Sequence, residues 1–123
     1  MNLELEKPDT EIYVKHFRDG EIILPNETLK TGVIITPDKI IMKCWPVSAM
    51  DQLTLETIDR LLDEPYDVIL LGTGSKLQIP NAKIINAFAR LGKALDFMDS
   101  AAACRTFNLL AAEGRKVIAA IIV

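Results

Sequence analysis

Val68-Ile-Leu-Leu-Gly-Thr-Gly-Ser-Lys-Leu-Gln-Ile-Pro80 decides how the chain folds. Its first four residues are all apolar. That pattern suits a strand buried on both faces, since a strand with one wet face would alternate apolar and polar side chains. The run stops at Gly72 and Gly74, which lack a Cβ and let the backbone turn sharply or approach another group closely. A helical period begins beyond Pro80. The stretch predicts a central strand with a bare loop at its C-terminal end, the edge where open α/β sheets usually bind ligands. Gly72, Thr73, Gly74 and Ser75 are the candidate binding residues there.

The loop fits neither common phosphate frame. A Walker loop needs GxxxxGK followed by Ser or Thr, and the nearby Lys76 follows Gly-Thr-Gly-Ser outside that frame. A dinucleotide fingerprint needs a third glycine, where this chain has Leu77. A tight strand-to-helix connection is the plainer expectation, and a dedicated anion site the sharper one.

Outward from the loop, the period alternates between strand and helix. Asn81 to Leu91 places Ile84, Ile85, Phe88 and Leu91 at helical spacing, with Pro80 in the first turn and Gly92 at the stop. Ala94–Met98 reads as a strand and Ala101–Ala112 as a helix begun by Asp99 or Ser100. Val117–Val123 reads as an interior strand. The first strand, the helix and the second strand form a βαβ unit with parallel strands and a right-handed crossover.

Upstream, Glu11–Phe17 and Ile22–Leu24 flank the turn Arg18-Asp-Gly20, and Pro25 ends the second run early, which predicts a small peripheral hairpin. Thr31–Thr36 and Lys39–Trp45 flank Pro37-Asp38 and predict a second, longer hairpin. Leu53–Leu62 places Leu55, Ile58 and Leu62 on one helical face, with Thr54 available to cap it. Three helices serve about seven strands in this reading, too few for a doubly wound sheet. The expected fold is a single α/β domain over residues 1–123. It is a three-layer β/β/α arrangement with a mixed central sheet, three main helices and the small hairpin, the helices covering one face and the hairpin part of the other.

Composition supports a folded core: 50% of the residues are hydrophobic and there are 6 Gly and 6 Pro. The net charge is -3 with basic and acidic residues mixed along the chain, which argues against a nucleic-acid surface or a polybasic membrane patch. No run reaches transmembrane length, and Met1–Pro8 has no signal-peptide pattern. The expected protein is cytoplasmic, without membrane insertion. Cys44 and Cys104 lack a CxxC frame and are expected reduced. His16 is the sole histidine, so no metal is expected, and no cofactor is expected either.

The ordered set Leu70-Leu-Gly-Thr-Gly74, Pro80, Met98-Asp-Ser100, Ala103-Cys-Arg-Thr-Phe-Asn108 and Glu113-Gly-Arg-Lys-Val-Ile-Ala-Ala-Ile-Ile122 resembles the MTH938-like family, also called DUF498. The resemblance runs from about residue 10 to residue 122. It implies the mixed three-layer fold, supplies no reaction, and extends to a mitochondrial complex I assembly factor as well as bacterial relatives. The family's features carry over as Gly72, Gly74, Cys104, Arg105, Asn108, Glu113 and Arg115.

Read physically, Asp99 and Ser100 start a helix on the same sheet edge as the glycine loop, and Arg105 and Asn108 share a face of it. Loop, helix start and Arg105 could together hold a small anion. Alternatively, Arg105 binds loop carbonyls and Asn108 ties the helix to a neighbouring connection. Cys104 beside Arg105 is the one weak reactive-thiol candidate, since a neighbouring cation can depress a thiol pKa, but it needs exposure and a base. Asp51, Glu56, Asp59, Asp63 and Glu64 read as surface or capping carboxylates, with no catalytic pair among them. Trp45 is expected at an exposed rim, where it would anchor a homodimer. Two classes follow: a non-enzymatic binding or assembly protein with a protein partner, or a small-molecule protein or enzyme in the same cleft.

Overall fold

A computed structural model describes residues 10–18, 20–63 and 65–123. The lead-in at residues 1–9, Asp19 of the first turn and the carboxylate Glu64 lie outside the described residues. In chain order the elements are β1 (His16–Arg18), β2 (Glu21–Ile23), β3 (Thr28–Leu29), β4 (Gly32–Ile35), β5 (Ile40–Trp45), α1 (Asp59–Leu62), β6 (Val68–Gly72), α2 (Ala82–Ala89), β7 (Leu95–Met98), α3 (Ser100–Ala112) and β8 (Val117–Ile121). A 3₁₀ turn, Met50–Gln52, precedes α1.

The central sheet has the order β5-β4-β8-β6-β7. β8 lies antiparallel to β4 and parallel to β6, and β6 is parallel to β7, so the sheet is mixed as expected. The side chains of β8 alternate between two cores. Val117, Ala119 and Ile121 face one, Ile118 and Ala120 the other, and β6 divides Leu70 from Ile69 and Leu71 in the same way. Continuous apolar runs result because both faces are covered.

The three helices are shared between the faces rather than stacked on one. Ile58, Leu61, Ile84 and Phe88 of the α1 and α2 regions pack with Ile69, Leu71 and Ile118. Ala103 and Phe107 of α3 pack with Leu70 and Ala119 on the other face, where Ile22 and Leu24 of the small sheet join them. The small sheet has three strands, β1-β2-β3, one more than the expected hairpin.

Two segments depart from the expected periods because a side chain takes a backbone partner. Glu11–Phe17 shortens to β1 at His16–Arg18, since the backbone of Val14 pairs with the Asn108 amide instead of another strand. Leu53–Leu62 yields only a short α1. Trp45 Nε1 donates to the Thr57 carbonyl at 2.8 Å, and the Leu61 amide, whose helical acceptor that carbonyl would be, donates to Ile58 O instead. Thr54 does cap the preceding turn, its hydroxyl accepting from Thr57 N at 3.2 Å. The buried residues are Leu53, Ile58 and Leu61, while Leu55 is exposed. Trp45 itself is 2% exposed, so it is a core residue and not the rim anchor expected for a homodimer.

The later helices keep their signals. The Asn81 side chain accepts from Ile84 N at 3.0 Å, and Gly92 adopts φ 69° just past α2. Ile84 and Phe88 are buried, whereas Ile85 and Leu91 are exposed. Among the described residues no helix is long and apolar enough to cross a membrane.

Candidate functional site

Gly72 ends β6 between Met98 of β7 and Ile121 of β8. A Cβ there would lie 2.8 Å from Ser100 Oγ and 3.0 Å from Ser100 Cα, so only glycine lets α3 start this close to the sheet. Gly74 has φ 102°, which reverses the chain immediately afterwards. The two glycines therefore have different tasks, one of clearance and one of backbone direction.

Ser100 joins the pieces and is fully buried. Its amide donates to Gly74 O at 2.8 Å, and its hydroxyl accepts from Gly74 N at 2.9 Å and donates to Ile122 O at 2.5 Å. Asp99 caps α3 by accepting from Ala102 N at 2.9 Å. Thr73 closes the loop from within. Its amide donates to Met98 O, its hydroxyl donates to Lys76 O at 2.6 Å, and the same oxygen accepts from Gln78 N at 3.2 Å. An anion would need free amides in this place, and the Gly74 and Ser100 amides are already engaged. These two amides of the expected anion cradle serve instead as a latch between loop, helix and last strand.

Arg105 does not join that latch. It is exposed and forms no hydrogen bond or ion pair with any described residue. From Ser100 to Arg105 the helix advances about 8 Å along its axis, which carries the guanidinium away from the loop. Neither role expected for it, binding loop carbonyls or completing an anion site there, is formed. Asn108, a turn further on, is engaged: its Nδ2 donates to Val14 O and its Oδ1 accepts from Val14 N, both at 2.8 Å. It ties α3 to the segment ahead of the small sheet.

Cys104 lies in the core, 4% exposed. Burial pushes its thiol from 9.0 up to about 12, and the opposing field of Arg105 does not offset that. The thiol is protonated at neutral pH, which removes the nucleophile expected from the neighbouring arginine. Cys44 is the exposed cysteine. Among the described residues no group of three or more His, Cys, Asp or Glu is placed to hold a metal ion.

What the loop presents outward is Ser75, Lys76, Leu77, Gln78 and Ile79, all exposed, and of these Ser75, Lys76 and Gln78 line a cleft of about 410 Å³ with Ser48, Asp51 and Thr73. Leu77 is 60% exposed and Ile79 75%. Neither was a site candidate from sequence. The available signal was two large apolar residues lying between a turn glycine and Pro80 without a strand length to occupy.

The comparisons agree with this fold over nearly the whole chain. A family model described as "Protein of unknown function (DUF498/DUF598)" matches residues 14–122. The "13 kDa major membrane protein" of Francisella tularensis subsp. holarctica (strain LVS) is 32% identical over 122 residues, covering 99% of each chain. The NADH dehydrogenase (ubiquinone) 1 alpha subcomplex assembly factor 3 of Xenopus tropicalis is 29% identical over 117 residues, covering 85% of this chain and 64% of that protein. An NMR structure of a Xanthomonas campestris protein superposes with a TM-score of 0.81 at 36% identity, covering 100% of this chain and 92% of that one. The latch glycines, the capped start of α3 and the central β8 thus sit within the matched region, and the chain belongs to the DUF498/MTH938-like family.

Proposed function

We propose that this chain is a non-catalytic binding protein acting in protein assembly, and that it meets its partner with the loop after β6. The observation that carries this reading is the exposure of Leu77 and Ile79 on a loop whose base is closed by the Thr73 and Ser100 hydroxyls. A held loop loses little conformational freedom when it docks. Burying both side chains contributes on the order of 2 to 4 kcal/mol. The name of the Xenopus relative, an assembly factor, supports the same class of function, and this chain spans 64% of that protein's length.

The cytoplasm is the proposed location, on the strength of two free cysteines. The Francisella relative carries the name of a membrane protein, so fractionation of the native protein tests this part directly. A second copy of the chain is one candidate partner, and sedimentation at micromolar concentration distinguishes it from a different protein. A small polar ligand in the cleft of about 410 Å³ is the second reading, carried by that cavity alone.

A photo-crosslinking residue at position 79, in the tagged protein expressed in its native host, tests the main reading. One defined crosslinked protein is expected, lost on Leu77→Glu and retained on Leu109→Glu, a change on α3 at a side chain 60% exposed. Equal crosslinking by both variants would refute the loop as the contact surface.

A further inference from the structure

The opposite end of the central sheet holds a second cleft with a different chemistry. The antiparallel register Ile35↔Ala119 brings the turn after β4 beside the start of β8. The parallel register Val68↔Val117 continues through the Asp67 amide, which donates to Lys116 O at 2.8 Å, and so brings Tyr66 to the same place. Together these segments enclose about 450 Å³, walled by Lys39, Arg115 and Lys116 with Asp38, Tyr66 and Ala111.

Among the described lining residues three cations face the Asp38 carboxylate, with the Asp67 carboxylate accepting from the Lys116 amide at 3.2 Å beside them, in a chain whose net charge is -3. Lys39, Arg115 and Lys116 form no ion pair with any described residue, and the Lys116 ammonium lies 5.6 Å from the centre of the Tyr66 ring. Cations after a helix often complement its last carbonyls. Here the Leu109, Leu110 and Ala111 carbonyls already accept from the Glu113, Gly114 and Arg115 amides. Lys39 comes from a separate turn with no helix end to complement. That turn is held by the Thr36 hydroxyl, which accepts from the Asp38 and Lys39 amides at 3.3 and 3.2 Å.

We infer that this cleft binds a small phosphate monoester, with the phosphate among Lys39, Arg115 and Lys116 and a flat apolar group along Tyr66 and Ala111. Among the described residues three cations less the Asp38 and Asp67 carboxylates leave a local charge of +1. A phosphate monoester carries about -1.5 to -2 at neutral pH, and the arginine fork suits its oxygens. The cavity falls within the range of small-molecule sites, roughly 300 to 1,000 Å³. The site is independent of the loop after β6 and stands or falls separately from it.

Titration of the ¹⁵N-labelled protein with phenyl phosphate, and in parallel with inorganic phosphate, tests the assignment. Saturable shifts are expected in the amides of residues 36–39, 66–67 and 114–117. Phenyl phosphate should bind about three- to tenfold more tightly than inorganic phosphate, the difference coming from the ring contact. Lys39→Glu with Arg115→Glu should weaken it by at least about tenfold while leaving distant amides unmoved. Should that pair not fold, Lys39→Gln with Arg115→Gln gives a smaller loss in the same direction. Absence of saturation, shifts centred on residues 72–79, or an unchanged affinity in the folded variants would overturn the proposal. Equal affinity for the two probes would mean an adventitious ion only, and would overturn it as well.

Discussion

Ser100→Ala removes one oxygen that serves two other segments, and its cost follows from the burial of its partners. The hydroxyl donates to Ile122 O at 2.5 Å, and Ile122 is 3% exposed, so that carbonyl gains no ready access to water. Leaving such a group unpaired costs about 1 to 3 kcal/mol. The Gly74 amide also loses its acceptor, but Gly74 is half-buried and can recruit water, which places its share near the low end, about 1 kcal/mol. Alanine returns roughly 0.5 kcal/mol through its better helix propensity. The cap itself stays, because Asp99 provides it. The net expectation is a loss of about 2 to 3 kcal/mol, read as a lower urea midpoint at constant m-value with faster exchange at the Gly74 amide. Gly72→Ala supplies an independent arm. Its Cβ would meet Ser100 Oγ at 2.8 Å, so overpacking costs about 1 to 3 kcal/mol on the native background and less once that oxygen is gone. If Ser100→Ala stays within about 0.5 kcal/mol of wild type, or if the two changes simply add, the latch as described is wrong.

Two further outcomes follow from α3. Asn108→Ala should cost about 1 to 3 kcal/mol and speed exchange at the Val14 amide, while Asn108→Asp should rescue only part of it, since it keeps an acceptor for Val14 N but has no Nδ2 to donate to Val14 O. Cys104 should resist alkylation at pH 8 while the exposed Cys44 reacts, so Cys44→Ser should abolish native-state labelling and unfolding should restore it. The sign of its pH effect is set by the upward shift: the folded thiol keeps its proton where an unfolded one loses it. Its contribution is complete below pH 9.0 and is lost as pH rises toward about 12, a slope that Cys104→Ala should remove in alkaline denaturation.

The parts of the fold that could be read from the sequence are those specified by local chemistry. The apolar run at 68–71 announces a strand covered on both sides, Asn81 and Asp99 announce helix starts, and Gly72 and Gly74 announce backbone that needs room or a positive φ. The parts that could not be read depend on partners far along the chain. Nothing near Val14 says that its backbone will pair with the side chain of Asn108, 94 positions away. Nothing near Thr57 says that an indole will take its carbonyl and shorten a helix. The candidate site was legible in position and not in chemistry. The glycine loop and the start of α3 do meet, but Ser100 fills the place given to Arg105, because Ser100 points into the junction while Arg105 lies further along an exposed face.

The position of β8 sets an order on synthesis. Translation delivers the β4–β5 hairpin first and the β6–α2–β7 unit next, yet these two blocks touch the sheet's middle only through residues 117–121. Until that segment leaves the ribosome, Val33, Ile34 and Ile35 on one block and Ile69, Leu70 and Leu71 on the other line two open edges, each an apolar template for any passing strand. From the end of β7 at Met98 until β8 begins at Val117 the chain therefore holds two half-sheets with a missing seam, the interval in which a chaperone that shields such edges would act. Stalling translation just before residue 117 should leave both half-sheets protease-sensitive, and release past residue 121 should protect them in a single step.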